Sequence, residues 1–405
     1  MSFEAIFEAF KRTKEHIERQ QTKAPYEFVA ERLEGTRELL IMWLNIYELY
    51  ANGYRREVAT WSKPDLIRNL SICGRGLEKK LVSYFQTKIP FEVYVLLDSF
   101  FNELKRTEFY IVAEADGFEQ KSIYDEIYGQ SLRNVSAPRT VELSRNEQLM
   151  KEIMKRDMAI LYYEQGQHDN ALSWPLLLHE ALHWLYKSEG LASLEKKVDK
   201  KPSWINEVLI DIYIPNIFGP AYATSLVSYL SRYPHEETLS HPHFIARLYT
   251  CFRYLSELVK SKKLPSPLDT EAQEAMKYVE EFQGRYEDTL EEIKKQLDHI
   301  YEKTHDAIIE NVARKTKPFV SFVQEMANNK KQTEYLSPKD FPKKEVFLTE
   351  DVQRYYDLGI PIAAHPKILF NSFISKKYLD REVNTLFIQE SLKKYYVRQK
   401  WSEVT

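Results

Sequence analysis

Residues 173–190 read SWPLLLHEALHWLYKSEG and predict the helix around which the fold is organised. Ser173 is a candidate N-cap, and Pro175 suits the first turn of a helix. The leucines that follow recur at helical spacing and give the helix an apolar surface. Gly190 is a typical position for the helix to stop. The segment is therefore expected to be one buried helix that carries its polar residues in its middle.

Two short segments outside this helix predict a small sheet. AILYY at 159–163 is apolar and aromatic, and the turn-like GQHDN follows it at 166–170. EFYIVAEA at 108–115 has the same character and precedes an Asp-Gly turn. We expect residues 108–124 to pair with 159–165 and to lie over the helix as a short sheet.

The middle of the predicted helix reads HEALH, which fits the HExxH pattern. Residues four apart share one face of a helix, so His179 and His183 can direct their ring nitrogens to one point. Glu180 flanks that point. Zinc with three protein ligands keeps a fourth position for water and lowers the pKa of that water to about 7. The pattern therefore predicts a zinc site with a carboxylate beside it that can take a proton.

A third protein ligand is needed, and two glutamates are candidates. Glu189 lies six residues past His183, so on a continuing helix it points about 240° away, and Tyr186 stands where a helix-breaking glycine would be needed. Glu207 is the better candidate because it begins a second helical stretch in which Asp211 shares its face. Asp211 is then placed to accept a hydrogen bond from a ligand histidine.

The two motifs together resemble a known family. HEALH at 179–183 and NEVLID at 206–211 are similar to the HExxH…NExxxD pattern of the gluzincin zinc metallopeptidases, the thermolysin-like group. Glu207 lies 24 residues past His183. The resemblance covers about residues 158–250, and the flanking sequence has no counterpart that we can place in that family.

The resemblance implies a role for each matching residue. It implies zinc ligands at His179, His183 and Glu207, a general base at Glu180, and at Asp211 an acceptor for a hydrogen bond from His179. It also implies that the strand at 159–165 is an edge strand that aligns an extended peptide substrate.

The residue that stabilises the oxyanion of the tetrahedral intermediate does not follow cleanly from the motif. A hydrogen-bond donor in that place lowers the barrier by about 3–4 kcal/mol. The candidates downstream of the second motif are Tyr213, Tyr222, His235, His241, His243 and Arg247. Among them we favour His241, and the others stay open.

Composition indicates a helix-rich protein with more than one subdomain. The chain has 405 residues, of which only 11 are glycine and 29% are charged. Cys73 and Cys251 are far apart and lack a CxxC partner, which argues against disulfides and a thiolate zinc site. A net charge of −3 gives no electrostatic footprint for nucleic acid. The charged, amphipathic N-terminus and the lack of any apolar run near 18 residues predict a cytoplasmic protein without a membrane segment.

These observations predict a mainly α (α+β) fold, in which a helical scaffold surrounds a small zincin-like core. The predicted regions are a helical N-terminal scaffold over 1–105, a zincin-like catalytic core with the sheet over 106–262, a long helical hairpin over 268–320, a mobile connection over 327–346 and a mixed C-terminal segment over 347–405. Gly284 is the weak point of the long helical stripe. The oligomeric state and the chemistry of the last region stay open.

The expected activity is that of a zinc-dependent endopeptidase acting on polypeptide substrates. One variant of this hypothesis is a narrow regulatory protease that cleaves a single cellular protein. The alternative, from another class, is a helical interaction protein in which zinc is only structural.

Overall fold

A computed structural model describes most of the chain after residue 90. The described residues are 90–106, 110–115, 117–122, 159–164, 170–199, 202–265, 268–328, 361–372 and 381–404, with single positions at 8, 11, 12, 15, 167, 352 and 356–358. Apart from positions 8, 11, 12 and 15, the predicted N-terminal helices before residue 90 lie outside the described residues. The same is true of Cys73 and of all but the first two residues of the predicted connection at 327–346.

The chain divides into two compact units. Met1–Phe91 and Glu108–Glu164 form the first, and Glu92–Thr107 and Gln165–Thr405 form the second. The three described strands lie in the first unit, and the described helices after Phe91 lie in the second. The strands and the HEALH helix, which the sequence suggested to be one core over 106–262, thus fall in different units. The placement of the sheet over that helix stays a prediction.

The sheet has three strands, β1 (Tyr110–Ala115), β2 (Glu119–Ser122) and β3 (Ala159–Glu164), in the order β1-β3-β2. β3 pairs in parallel with β1 and antiparallel with β2, which confirms the expected pairing of 108–124 with 159–165. The expectation that 159–165 is an edge strand is wrong, because β3 has a hydrogen-bonded neighbour on each side. All six of its residues are buried, which fits the continuous apolar and aromatic run of its first five residues, 159–163.

The second unit is built from helices. In chain order they are α1 (Phe91–Glu103), a 3-10 helix (Ala171–Leu176), α2 (Leu177–Leu185), α3 (Leu191–Glu195), α4 (Ile205–Phe218), α5 (Pro220–Leu230), α6 (Phe244–Ser261), α7 (Leu268–Gln283), α8 (Glu287–Lys315), α9 (Phe319–Asn328), α10 (Pro366–Asn371) and α11 (Arg381–Val404). The mainly helical fold with a small sheet is confirmed. Across the described residues, no helix is both long and apolar enough to cross a bilayer.

Helix α4 lies at the centre of this unit. It packs against α2, α3, α5, α6, α8 and α9. All of its residues are buried except Asn206 and Asn216, which are partly exposed. A helix that is apolar all round must be covered on every side. The two acidic residues that α4 carries, Glu207 and Asp211, are therefore held inside the unit.

The predicted stripe over 268–320 is two helices joined at Gly284. A short 3-10 turn at Gly284–Tyr286 separates α7 from α8. Both helices pack on α6 of the same unit. Tyr249 and Arg253 of α6 bond Asp298 of α8 at 2.7 and 2.5 Å. Glycine disfavours helix interiors, which accounts for the break at this position.

His365 caps α10 with a ring nitrogen. Its Nδ1 accepts a hydrogen bond from the Lys367 backbone N–H at 3.2 Å, so the ring must be neutral at that atom. Burial and the neighbouring Lys367 ammonium lower the pKa of His365 to about 3. Glu103, whose carboxyl lies 3.4 Å from His365 Nε2, forms an ion pair with Lys367.

We expect His365→Asn to remove part of the acid sensitivity of the protein. In the wild type, the His365 ring of the unfolded chain becomes protonated as pH falls below about 6.5, whereas the ring of the folded protein stays neutral until about pH 3. The contribution of His365 to stability is therefore complete above pH 6.5 and is lost between that pH and pH 3. The loss is about 1.4 kcal/mol per pH unit, or about 2 kcal/mol by pH 5. Asparagine also caps helices but does not titrate. Urea unfolding from pH 8 to 5 measures the difference, and parallel curves for the two proteins would contradict this role.

Candidate metal centre

The HEALH segment forms the predicted helix, but the helical segment begins and ends earlier than the sequence predicts for 173–190. The chain enters through the 3-10 helix, whose N-cap is Asn170, and the Ser173 hydroxyl donates to the Asn170 carbonyl at 2.8 Å. Ser173 therefore stabilises the turn from inside instead of capping α2. Helix α2 ends at Leu185, and Gly190 adopts a positive φ of 78° after it. This left-handed conformation suits glycine.

Three side chains from α2 and α4 converge at one point. His179 Nε2 lies 2.9 Å from Glu207 Oε2, and His183 Nε2 lies 3.0 Å from Glu207 Oε1. The two Nε2 atoms are 3.0 Å apart, and the rings are nearly perpendicular at 78°. Within the described part of the chain, these three residues form a group that could hold a metal ion. We call His179, His183 and Glu207 the ligand cluster.

The chemistry of the ligand cluster suits a divalent metal ion. The converging nitrogen and oxygen atoms are 2.9–3.0 Å apart. Ligands about 2.0–2.1 Å from a tetrahedral zinc are about 3.3–3.4 Å apart, so a bound ion would move these atoms apart by about 0.4 Å. Two imidazoles and one carboxylate are a ligand set typical of catalytic zinc. His179 and Glu207 side chains are each 4% exposed, whereas the His183 side chain is 21% exposed. Solvent therefore reaches the ligand cluster on the His183 side.

Glu180 lies beside the ligand cluster without belonging to it. It is 9% exposed, and its carboxyl is within electrostatic range of His179, His183 and Glu207. Burial raises the pKa of Glu180, and the two imidazoles lower it in part. A carboxyl group whose pKa is raised toward neutrality is better matched to proton transfer than one at its ordinary value.

Behind the ligand cluster lies a buried group of three side chains. Asp211 Oδ1 is 3.1 Å from His179 Nδ1, and its role as the acceptor from this ring stays a prediction. Arg247 of α6 donates to Asp211 from Nε at 2.6 Å and from Nη2 at 2.9 Å. Tyr222 of α5 donates its hydroxyl proton to Asp211 Oδ1 at 2.5 Å and lies 3.0 Å from His179 Nδ1.

The charges in this region are mutually compensated. Although burial acts in the opposite direction, the imidazoles hold the pKa of Glu207 well below its usual value. Burial likewise opposes ionisation of Asp211, but the Arg247 guanidinium outweighs it and lowers the pKa of Asp211. Burial raises the pKa of Tyr222 well above its ordinary value, so its hydroxyl stays a donor. Burial and Arg247 lower the pKa of His179, but Glu207 and Asp211 raise it to about 9.

Glu189, the other ligand candidate, is fully buried and bonded elsewhere. Its Oε1 accepts from Arg106 Nη2 at 2.7 Å, and its Oε2 accepts from the Tyr213 hydroxyl at 2.8 Å and from Lys315 at 3.0 Å. The Asn311 side chain donates to its backbone carbonyl. Glu189 thus links the end of α2 to α4, α8 and the segment after α1.

The six candidate oxyanion donors are separated by the structure. Tyr222 and Arg247 touch His179, and Tyr213 bonds Glu189. His241 is exposed and bonds the Ser240 hydroxyl at 2.9 Å. Its role as the oxyanion donor stays a prediction.

The other two candidates lie near His241, in and next to the segment between α5 and α6. His235 stands beside His241, with ring centroids 6.2 Å apart, and burial lowers its pKa. His243 caps α6 by accepting from the Ile245 N–H at 3.2 Å. The sequence did not predict that Tyr222 and Arg247 both bond Asp211. The three residues lie on α5, α6 and α4, and no local sequence pattern relates these helices.

Comparison with known proteins does not assign this chain to a family. No family model, curated protein or solved structure matches this chain. The assignment of a function therefore depends on the ligand cluster and the residues around it.

Proposed function

We propose that this protein is a zinc-dependent peptidase in which Glu180 is the general base. The observation that carries the proposal is the convergence of His179, His183 and Glu207, whose nearest ligand atoms are 2.9–3.0 Å apart, with Glu180 on the same helix turn. The HExxH spacing and the carboxylate from a second helix both support a hydrolytic zinc site over an arbitrary cluster.

Each residue has a distinct part in the proposed reaction. Zinc bound by the ligand cluster would supply a Lewis acid that polarises a carbonyl group and acidifies water. Glu180 takes a proton from the attacking water and returns it to the leaving amine. Asp211 lies on the Nδ1 side of the His179 ring, where its carboxylate pairs with Arg247. A polypeptide substrate would reach the site on the His183 side, where the ligand cluster is partly exposed.

A second function is favoured by one observation. His179 and Glu207 are only 4% exposed, a degree of burial that also suits a structural metal. The alternative is therefore a helical interaction protein whose zinc contributes only stability. The partial exposure of His183 favours the peptidase, because a structural site is closed to further ligands.

Metal removal and reconstitution would distinguish the two functions. The zinc-loaded protein is incubated with a cell lysate, and new N-termini are identified by N-terminal labelling and mass spectrometry. We expect new N-termini that disappear after chelation and return when zinc is restored. In parallel, a thermal melt measures what chelation does to stability. If zinc binds at one ion per chain and chelation lowers the melting temperature, yet no N-terminus is gained, the protein has a structural zinc site and the peptidase proposal is wrong.

The same experiment addresses the narrow regulatory protease. A single new N-terminus would identify both the substrate and the cleavage site, whereas many would indicate a general peptidase. The cytoplasmic location stays a prediction from the sequence.

A further inference from the structure

The two nitrogens of His179 face different surroundings. Nε2 faces the other two members of the ligand cluster, Glu207 and His183, at 2.9 and 3.0 Å. Nδ1 faces Asp211 and Tyr222, both of which are fully buried. Arg247 Nη2 also lies near the ring, 3.1 Å from Nδ1 and 3.3 Å from Nε2. A histidine that ligates through Nε2 carries its proton on Nδ1, and that proton needs an acceptor.

The Asp211 oxygen nearest to His179 already accepts two other hydrogen bonds. Oδ1 accepts from the Tyr222 hydroxyl at 2.5 Å and from Arg247 Nη2 at 2.9 Å, whereas His179 Nδ1 is the most distant of the three at 3.1 Å. A carboxylate oxygen has about two lone-pair sites, so a third hydrogen bond, from His179 Nδ1, would be weak. Arg247 offers no alternative, because a guanidinium only donates.

The Tyr222 hydroxyl oxygen can accept a hydrogen bond from His179 Nδ1, for which Asp211 Oδ1 has no free lone pair. Its proton points to Asp211, which leaves the lone pairs of the phenol oxygen to accept from His179 Nδ1 at 3.0 Å. A phenol can donate and accept at the same time, and a carboxylate cannot. The chain of bonds then runs from His179 to Tyr222 to Asp211, with Arg247 as the countercharge.

We infer that Tyr222 is a positioning residue that fixes the tautomer and the ring orientation of His179 by accepting the Nδ1 proton. This inference rests on the proposed function only in taking the ligand cluster to bind zinc. It assigns Asp211 a different part from the one expected from sequence, namely to hold Tyr222 and to pair with Arg247. The partner of the ligand imidazole is thus a neutral hydroxyl on α5.

Tyr222→Phe removes the hydroxyl and leaves the ring. We expect the affinity for zinc, measured by competition with a chromogenic chelator at fixed pH, to fall about 10- to 100-fold. The visible absorption spectrum of the cobalt-substituted protein is expected to change as well, because the ligand ring is no longer held. A tyrosine that served only to fill space would leave both measurements unchanged.

Tyr254→Phe is the matched control. Tyr254 is also buried, and its hydroxyl donates to the Pro215 carbonyl of α4 at 2.7 Å. Its deletion removes one buried hydrogen bond between α6 and α4 without touching His179. We expect zinc affinity within about twofold of wild type. Urea unfolding of both variants separates loss of stability from loss of affinity.

A graded series of tyrosine analogues keeps the inference testable if Tyr222→Phe does not fold. Fluorinated tyrosines introduced at position 222 keep the hydroxyl and nearly the same volume but make its oxygen a progressively weaker acceptor. Zinc affinity is expected to fall progressively along the series.

The outcomes distinguish this inference from the proposed function. If Tyr222→Phe binds zinc as tightly as Tyr254→Phe, or if the fluorotyrosine series is flat, Tyr222 is not the acceptor and the peptidase proposal stands. If the wild-type protein itself binds no zinc, both the inference and the proposed function are overturned.

Discussion

Glu180→Gln is expected to bind about one zinc ion per chain and to cleave about 10²- to 10⁴-fold more slowly than wild type. The Glu180 carboxyl lies beside the ligand cluster but supplies none of its converging atoms. Glutamine has nearly the same shape, so the buried position stays filled, but an amide cannot take a proton from water. Elemental analysis measures the zinc content, and single-turnover cleavage of a substrate identified through its new N-terminus measures the rate.

Glu207→Gln provides the contrast for this prediction. It changes a glutamate of similar burial that belongs to the ligand cluster, so zinc and cleavage should be lost together. If Glu180→Gln also lost its zinc, Glu180 would be a ligand or a structural group. If it cleaved at the wild-type rate, another residue would be the base.

Gly219→Ala is expected to lower the free energy of unfolding by about 2–6 kcal/mol. Gly219 joins α4 to α5 with a φ of 95° and a ψ of −169°, a conformation that L side chains rarely adopt. A Cβ there would lie 2.6 Å from two carbons of the Phe319 ring, which is fully buried. Backbone strain of about 1–3 kcal/mol and overpacking of about 1–3 kcal/mol both contribute.

The surroundings of Gly219 leave little room for adjustment. The Asn371 side chain donates to the Phe218 carbonyl and accepts from the Ala221 N–H, both at 2.8 Å, so the chain is held on both sides of the glycine. Because α4 carries Glu207 and α5 carries Tyr222, a shift at this junction would also displace the metal centre. Urea unfolding followed by circular dichroism measures the effect.

Gly284→Ala is the control for this change. Gly284 has no heavy atom within 4 Å of a Cβ placed there, and its φ is not positive. Alanine there should be neutral or stabilise the protein by about 0.4–1 kcal/mol, because it restricts the unfolded chain. Similar losses at Gly219 and Gly284 would show that the strain and the contact with Phe319 are not the cause.

Local periodicity was enough to predict the ligand cluster. His179 and His183 are one turn apart, and Glu207 and Asp211 are one turn apart, so two helices needed only to pack together for all four to meet. Glu189 lies outside the ligand cluster, as predicted, but not because it points away on a continuing helix. Helix α2 ends at Leu185, and Glu189 turns toward Arg106 and Lys315.

The features that could not be predicted all depend on distant parts of the chain. The run at 159–165 was expected at the edge of the sheet, yet β3 is central because β1 and β2 pair with its two sides. Strand order depends on which segments meet in space, and hydrophobic pattern does not report it. Asn371 lies 150 residues from Ala221, whose N–H it caps. No spacing rule connects residues at such separations.

The deep position of α4 has a consequence for the order of events when the protein matures. In small zinc modules the ion substitutes for a hydrophobic core, and the peptide stays unfolded until the ion arrives. Here the carboxylate ligand comes from the helix that six others enclose, so it is in place only after those helices have assembled. Any ion that this centre acquires is thus expected to bind after these helices have assembled, and its capture would not direct how the chain folds.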